Sequence, residues 1–416
     1  MDRFARPASE GTEPDSTVLT PNDEADAIEA VRWAMDQNAP LEIMGEGSKR
    51  GLGRPVQARA TLDLRRLTGV TLYEPEELVL TARAGTPIRE IEDLLAANGQ
   101  EMAFEPMDYA PLYGRERRRG TLGGVVSTNL SGPRRLKAGA ARDHVLGVRV
   151  VTGRGEAIKS GGRVVKNVTG YDLSKGVTGA YGTLGALTAI TIKVLPRAET
   201  ETTLAVRGLD DAAAAAAMAR ALGSSAEVSS AAHLPAQVAG RVADGALGSA
   251  AATLLRLESF AASVDARTVA LETLLGGEIE RIEGDASRAL WRDMRDAVPF
   301  ADGSDKPVWR VSVAPTKGHE VVDAMRRGAG VDAFYDWQGG LAWLRMEGEP
   351  EDEALRRAVA HFGGGHATLV RAPASVRAAV SPFEPEPGPL AALSARLKSQ
   401  FDPNGILNPG RMVAGR

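Results

Sequence analysis

The amino-acid sequence predicts an α+β protein built from two successive domains. Up to Pro196, short apolar or β-branched runs alternate with amphipathic helical segments. The same stretch carries three glycine-rich clusters, "GEGSKRGLG" from Gly45, "GTLGGVVSTNLSG" from Gly120 and "GAYGTLG" from Gly179. After Pro196 the composition shifts to an alanine-rich helix and a series of strand-like runs, an order that suits a ferredoxin-like antiparallel sheet with helices on one side.

The elements follow in chain order. The N-terminal "MDRFARPASEGTEPDST" has no apolar core, so it reads as a disordered tail over residues 1–17 rather than a signal peptide. Asn22 or Asp23 caps a helix with Ile28, Val31 and Met35 on one face. Strands are expected at Leu41–Met44, Ala60–Leu64 and Leu78–Ala82. Pro87 suits the first turn of a helix whose Ile88, Ile91, Leu94 and Leu95 form a buried stripe, ended by Asn98-Gly99. Val145–Val151 and Glu156–Lys159 read as a hairpin, and Leu187–Val194 as a strand with one buried face. Beyond Pro196, strands are expected at Ala251–Leu257, Val308–Val313, Ala333–Trp337, Leu341–Met346 and Ala367–Arg371. An amphipathic helix and a Pro/Gly-rich tail end the chain, and no tandem repeat is evident. The expected boundaries are 18–197 and 198–380 for the two domains and 381–416 for the C-terminal helix and tail.

Composition narrows the function. The chain has 416 residues, 25% charged and 43% hydrophobic, with a formal net charge of −4. That balance argues against a nucleic-acid partner bound through phosphate contacts. There is no cysteine, which excludes disulfides, thiolate catalysis and cysteine-ligated iron–sulfur clusters within this chain. No run approaches the roughly 20 apolar residues that span a bilayer. A cytoplasmic location is expected, with peripheral membrane association through partners left open.

The glycine clusters carry the chemistry. Glycine lets backbone approach a ligand closely and aim successive N–H groups into one concavity. The first loop is not a Walker A loop, because Lys49 follows Ser48 and precedes Arg50. It is not a Rossmann fingerprint either: Arg50 stands where the third glycine belongs, and "GLGRP" opens no regular helix. Alone, the loop fits a phosphate cradle or a glycine-rich surface turn. Three such clusters over about 140 residues fit an extended ligand touched by backbone at several points.

Taken together, these residues resemble the FAD domain of the vanillyl-alcohol-oxidase/PCMH flavoprotein superfamily. "LSGPRRLKAGAARDHVLGVRVVTGRGE", "VVKNVTGYDLSKGVTGAYGTLG", "GGHATLVRAP" and "FDPNGILNPGRM" further resemble the E-subunit family of bacterial glycolate oxidase (glycolate dehydrogenase). The resemblance implies a PCMH-type FAD-binding domain of two subdomains, a ferredoxin-like cap, and a C-terminal segment returning to the FAD domain. It implies that Gly45, Gly47 and Ser48 take the diphosphate. Thr121, Gly123, Gly124, Thr128, Asn129 and Ser131 would line the flavin, with Gly182, Thr183 and Gly185 near the nucleotide and Asn408 in the returning tail. The first loop lacks the histidine that tethers FAD in many superfamily members, so non-covalent FAD is expected. The catalytic 2-hydroxyacid members carry an H-x-G-D-G-N stretch; none of the five histidines here is followed by it, and Tyr181 stands where that subfamily has an acidic residue.

The resemblance implies a multi-subunit enzyme oxidising glycolate to glyoxylate, with a catalytic FAD subunit and an iron–sulfur subunit as partners and a small 2-hydroxy acid as substrate. Two alternatives stand beside it: a flavin-binding scaffold without chemistry of its own, and a self-sufficient FAD-dependent 2-hydroxyacid dehydrogenase. No metal site is expected. Catalytic residues are unassigned; the candidates are His366, Arg134 and Arg135. The arginines would clamp a carboxylate, pair with flavin phosphates or face solvent, and His366 serves structure or substrate. "GRERRRG" (114–120) is a solvated basic loop or a dock for an acidic partner. Trp309, Trp337 and Trp343 read as core or interface packing.

Overall fold

The computed structural model describes residues 5–6, 17–117, 120–163 and 171–415. Most of the expected tail, Arg118–Arg119 of the basic loop and the "VKNVTG" stretch around Lys166 and Asn167 lie outside the described residues.

The N-terminal domain is built on two sheets. The first is mixed, in the order Ala5–Arg6, Thr17–Leu19, Ala60–Asp63, Leu41–Met44, with its last three strands parallel. The second is antiparallel, in the order Val70–Glu74, Val79–Arg83, Ala186–Lys193, Val145–Val151, Ala157–Gly161. Asp23 caps the helix Glu24–Asp36, its side chain accepting from the amide of Asp26 at 2.9 Å. That helix buries Ala27, Ala30, Val31 and Ala34, while Ile28 and Met35 stay half-buried. Small alanines at the contact let the helix approach the sheet closely, which moves the buried stripe off the larger residues. Pro87 sits one residue before the helix Ile88–Ala96, which buries Ile88, Ile91 and Leu95.

The second domain is one eight-stranded antiparallel sheet. Its order is Ile279–Glu283, Thr200–Arg207, Ala252–Ser259, Ser230–Leu234, Val331–Asp336, Leu341–Met346, Val308–Ser312, His366–Arg371. The first four strands in this order and the last four each form a strand–helix–strand–strand–helix–strand unit of the same ferredoxin-like topology, joined between Ser230–Leu234 and Val331–Asp336. The sequence shows no repeat; the fold does, because each half needs only the same alternation of strands and covering helices. One face of the sheet packs on the helices Asp211–Leu222, Ala261–Leu275, Gly318–Arg326 and Asp352–His361. The other face carries Phe334, Trp343 and Val370, which share a core with Leu52, Tyr109, Leu112 and Leu130 of the first domain. The helix Gly284–Arg295 adds Leu290, Trp291 and Met294 to that core.

The C-terminal segment crosses back to the first domain. Leu407 forms a parallel bridge with Leu41, and the amide of Leu41 donates to the Ile406 carbonyl at 2.7 Å.

Candidate functional site

The strand Leu41–Met44 delivers the first glycine loop to the space between the two sheets of the N-terminal domain. There the loop meets Gly123 and Gly124, at the start of the helix Leu122–Thr128, and Gly182 and Gly185 of the third cluster. These residues line one groove, with Ala84, Ser127, Tyr181, Asn408 and Arg411 completing its wall. Ten of the thirteen cofactor residues expected from sequence come together here: Gly45, Gly47, Ser48, Thr121, Gly123, Gly124, Thr128, Gly182, Gly185 and Asn408. Asn129, Ser131 and Thr183 lie behind the wall. Asn129 ends the helix in the left-handed region and accepts from the Arg142 amide; Ser131 Oγ accepts from the Ala141 amide; Thr183 Oγ donates to the Ala180 carbonyl.

The groove is shaped for backbone contact. At Gly45, a Cβ would stand 2.5 Å from Thr121 Oγ1, the atom that caps the Leu122–Thr128 helix by accepting from the Gly124 amide. Gly47 has φ +70° and Gly182 φ +73°, conformations that L side chains rarely adopt. A Cβ at Gly182 would also stand 2.6 Å from Asn408 Nδ2. No described residue accepts a hydrogen bond from the backbone amides of Gly45, Glu46, Gly47 or Ser48. Four donors in a row without a protein acceptor, beside a glycine-lined channel, fit the diphosphate of a dinucleotide.

Charges around the loop are arranged unequally. Arg50 is neutralised by a bidentate pair with Glu42, at 2.6 and 3.0 Å. Arg411, from the "NPGRM" motif, reaches the same carboxylate at 3.1 Å and donates to the carbonyls of Arg50 and Leu52, so the tail sets the shape of the loop. Lys49 remains the loop's other cation. Burial pulls its ammonium down to about 8, against the opposing pull of Asp108, Glu46 and Asp296. The tail is locked by Asn408, 3% exposed: its Oδ1 accepts from the Ile43 amide at 2.8 Å and its Nδ2 donates to the Tyr181 carbonyl at 2.7 Å.

The candidate catalytic residues are scattered. Arg134 is tied to Glu101 at 2.6 Å, to Glu258, and to Glu105, whose carboxylate also binds Arg256 at 2.8 Å. Burial would raise Glu258, but Arg256 and Arg134 hold it down to about 2. With its charge committed to three carboxylates, Arg134 is part of the joint between domains and is not available to clamp a substrate. Arg135, the next residue, stacks on Trp337 at 4.4 Å instead. His366 is exposed at the start of an edge strand, opposite Ser312, and His361 ends a helix against Phe362. Among the described residues no cluster of three or more His, Asp or Glu is placed to hold a metal. Sequence reading passed over Arg411 and Ser127 as wall residues; Arg411 was visible inside the closing motif, whereas Ser127 carries no signal outside the fold.

Comparison with known proteins agrees with this geometry. The FAD binding domain family matches residues 15–161. The structure of p-cresol methylhydroxylase with substrate bound superposes with a TM-score of 0.71 at 17% identity, covering 99% of this chain and 92% of that one. The fold is therefore that of the PCMH-type flavoproteins, and the cofactor is FAD. Glycolate oxidase subunit GlcE of Escherichia coli (strain K12) is 37% identical over 390 residues, 93% of this chain and 96% of that one. Glycolate oxidase subunit GlcD of Bacillus subtilis (strain 168) is 29% identical over 188 residues, 45% of this chain and 38% of that one. The chain belongs to the glycolate oxidase subunit GlcE family.

Proposed function

We propose that this chain is the FAD-binding subunit of a multi-subunit oxidoreductase that converts glycolate to glyoxylate, and that it relays electrons rather than oxidising the substrate itself. The observation that carries the reading is the near end-to-end similarity to GlcE together with a groove that offers four free backbone amides to a diphosphate. In this reading Gly45, Gly47 and Ser48 hold the diphosphate, while Thr121, Gly123 and Gly124 close over the ribityl side. Gly182, Gly185 and Asn408 form the opposite wall. When bound, FAD supplies two-electron redox chemistry.

The protein's own part is positioning. The glycines bring backbone donors against phosphate. No histidine or cysteine stands in the first loop to form a tether, which favours non-covalent binding. Oxidation of a 2-hydroxy acid needs a base for the hydroxyl proton as the hydride leaves the α-carbon. Neither exposed histidine, 361 or 366, is hydrogen-bonded or ion-paired to a described carboxylate that would orient it for that task. A catalytic partner subunit of the GlcD type would supply the base, and an iron–sulfur partner would accept the electrons, since this chain has no cysteine to ligate a cluster.

The test has two parts. Acid precipitation of the purified yellow protein should leave all flavin in the supernatant. Anaerobic mixing of the FAD-loaded chain with glycolate or D-lactate should bleach the flavin slowly, and rapidly only when the partner subunits are present. Fast bleaching by the chain alone, abolished by His366→Ala, contradicts the relay reading.

A further inference from the structure

The first glycine loop also borders a second cavity, of about 370 Å³, a size that takes a small ligand. It shares Gly47, Ser48, Arg50 and Arg411 with the cofactor groove but has no lining residue from the second or third glycine cluster. Four arginines, Arg50, Arg115, Arg377 and Arg411, face it, and among the described lining residues Glu42 supplies the sole carboxylate. Arg50 and Arg411 share that carboxylate. Arg115 and Arg377 are ion-paired with no described residue. Arg115 donates to the Gly47 carbonyl at 3.3 Å, and Arg377 to the carbonyls of Gly53 at 2.8 Å and Ala372 at 3.2 Å. The cavity thus carries an excess of three positive charges in a chain whose formal net charge is −4. Like charges there act on one another: burial and the charges of Arg377 and Arg50 weaken the hold of Arg411 on its proton, against the pull of Glu42. Crowded cations short of counter-charge gain from a bound anion.

The cations are graded by depth and held in place. Arg411 is buried with Glu42, Arg377 is half-buried, and Arg50 and Arg115 are exposed, so the cavity opens to solvent past the last two. Backbone carbonyls fix Arg377 and Arg411, which leaves less side-chain freedom to lose when an anion binds. Arg377 Nη2 and Arg50 Nη1 donate to no described residue, so each fork keeps one nitrogen for a ligand. Tyr113 and Val56 add an apolar wall. The Tyr113 ring is fixed by its hydroxyl, which donates to the Val370 carbonyl at 2.5 Å, and by Gly51, where a Cβ would stand 2.7 Å from the ring.

We propose that this cavity binds a small phosphate monoester, its phosphate between Arg50, Arg115 and Arg377 and its organic body against Tyr113 and Val56, while FAD occupies the adjoining groove. A single carboxylate would offset one of the three excess charges. A phosphate monoester carries nearly two at neutral pH and offers three acceptor oxygens to guanidinium forks that come from separate parts of the chain. Inorganic phosphate has the same oxygens without the organic body, and the experiment separates the two. The proposal needs FAD in the groove and is independent of whether this chain relays electrons.

The experiment is a calorimetric titration of the FAD-loaded full chain with glycerol 3-phosphate, phenyl phosphate, inorganic phosphate and acetate, at neutral pH and constant ionic strength, with flavin absorbance followed throughout. One saturable site per chain is expected for the esters, with acetate at least about ten-fold weaker. Esters that bind more tightly than inorganic phosphate support the proposal; equal affinity overturns the choice of an ester. Arg377→Gln should weaken binding by about ten-fold or more, and Arg115→Gln, at an exposed position that leaves folding intact, by several-fold. Arg377→Lys, which keeps the charge and loses the fork, should fall between. Arg281→Gln, on the edge strand Ile279–Glu283 at the opposite side of the second sheet from the strand that precedes Arg377, should bind as the parent does. Absence of saturable binding, or equal affinity in the parent, Arg115→Gln and a folded Arg377 variant, overturns the proposal. Binding seen in the FAD-free chain alone, or binding that releases flavin, puts the phosphate in the cofactor groove and overturns it as well. A chain that binds the esters yet fails to relay electrons would keep the site and discard the relay.

Discussion

Replacing Asn408 by alanine should release the C-terminal tail from the cofactor groove. The side chain makes two hydrogen bonds to backbone: it accepts from Ile43 N at 2.8 Å and donates to the Tyr181 carbonyl at 2.7 Å. Losing them strands one donor and one acceptor at a site where Asn408 itself is 3% exposed, costing roughly 1–3 kcal/mol apiece. Asn408 also has φ +43°, which alanine tolerates less well than asparagine, adding about 1 kcal/mol. The expected loss is therefore roughly 3–7 kcal/mol. Asn408→Gly separates the terms, because it removes the same hydrogen bonds without the backbone strain and should be milder than alanine by about 1 kcal/mol. The assay is urea unfolding of both variants, paired with FAD affinity from quenching of flavin fluorescence. Both variants should bind FAD at least ten-fold more weakly, since Tyr181 and Gly182 line the groove. If Asn408→Ala unfolds within about 1 kcal/mol of the parent and keeps full FAD occupancy, the tail does not hold the groove and the reasoning fails.

Gly47→Val should abolish FAD binding while the second domain stays folded: the position has φ +70°, and a Cβ there stands 3.2 Å from Met44 Sδ. Retention of wild-type flavin content would sink this. Asp336, 3% exposed, has its carboxyl pushed up to about 7 by burial. A folded-state value above the unfolded one, about 4, means that stability is fully present below pH 4 and lost as pH rises through 7. Asp336→Asn removes that loss, so its stability relative to the parent should improve by roughly 2–3 kcal/mol between pH 5 and pH 8. Urea midpoints at the two pH values give the difference, and an unchanged difference shows that Asp336 does not titrate in this range.

Much of the groove was legible because glycine at a close backbone approach leaves a mark in sequence. Gly45, Gly47, Gly123, Gly182 and Gly185 are needed where backbone must come close or turn left-handed, and no other residue type substitutes freely. The strands Leu341–Met346 and Val145–Val151 were legible from their apolar runs. Thr200–Arg207 was not. Its "TETTLAVR" reads as polar, yet Glu201 and Thr203 are buried, because Ser287 bonds both Thr203 and Glu201 across the interface with the Gly284–Arg295 helix. Polar residues satisfied by partners about 85 positions away give no local signal. The doubling of the second domain was equally hidden, since topology repeats there without repetition of residues.

Arg134 and Arg135 show where adjacent residues part company. In sequence both are candidates for a carboxylate clamp. In the fold, Arg134 enters a buried cluster in which Glu101 and Glu105 of the first domain face Arg256 and Glu258 of the second. A buried ion cluster of this kind is costly to break, because removing one partner leaves an uncompensated charge, roughly 3–5 kcal/mol for a buried pair. It ties the two domains together beside their shared apolar core, and a rigid joint of this kind favours a fixed distance between cofactor groove and cap over a swinging lid. Arg135 sits one residue further on, outside that cluster, against an indole and another guanidinium. The counting of carboxylates, three around one arginine and none paired with the other, separates a charge that holds the joint from one that stacks on an indole ring.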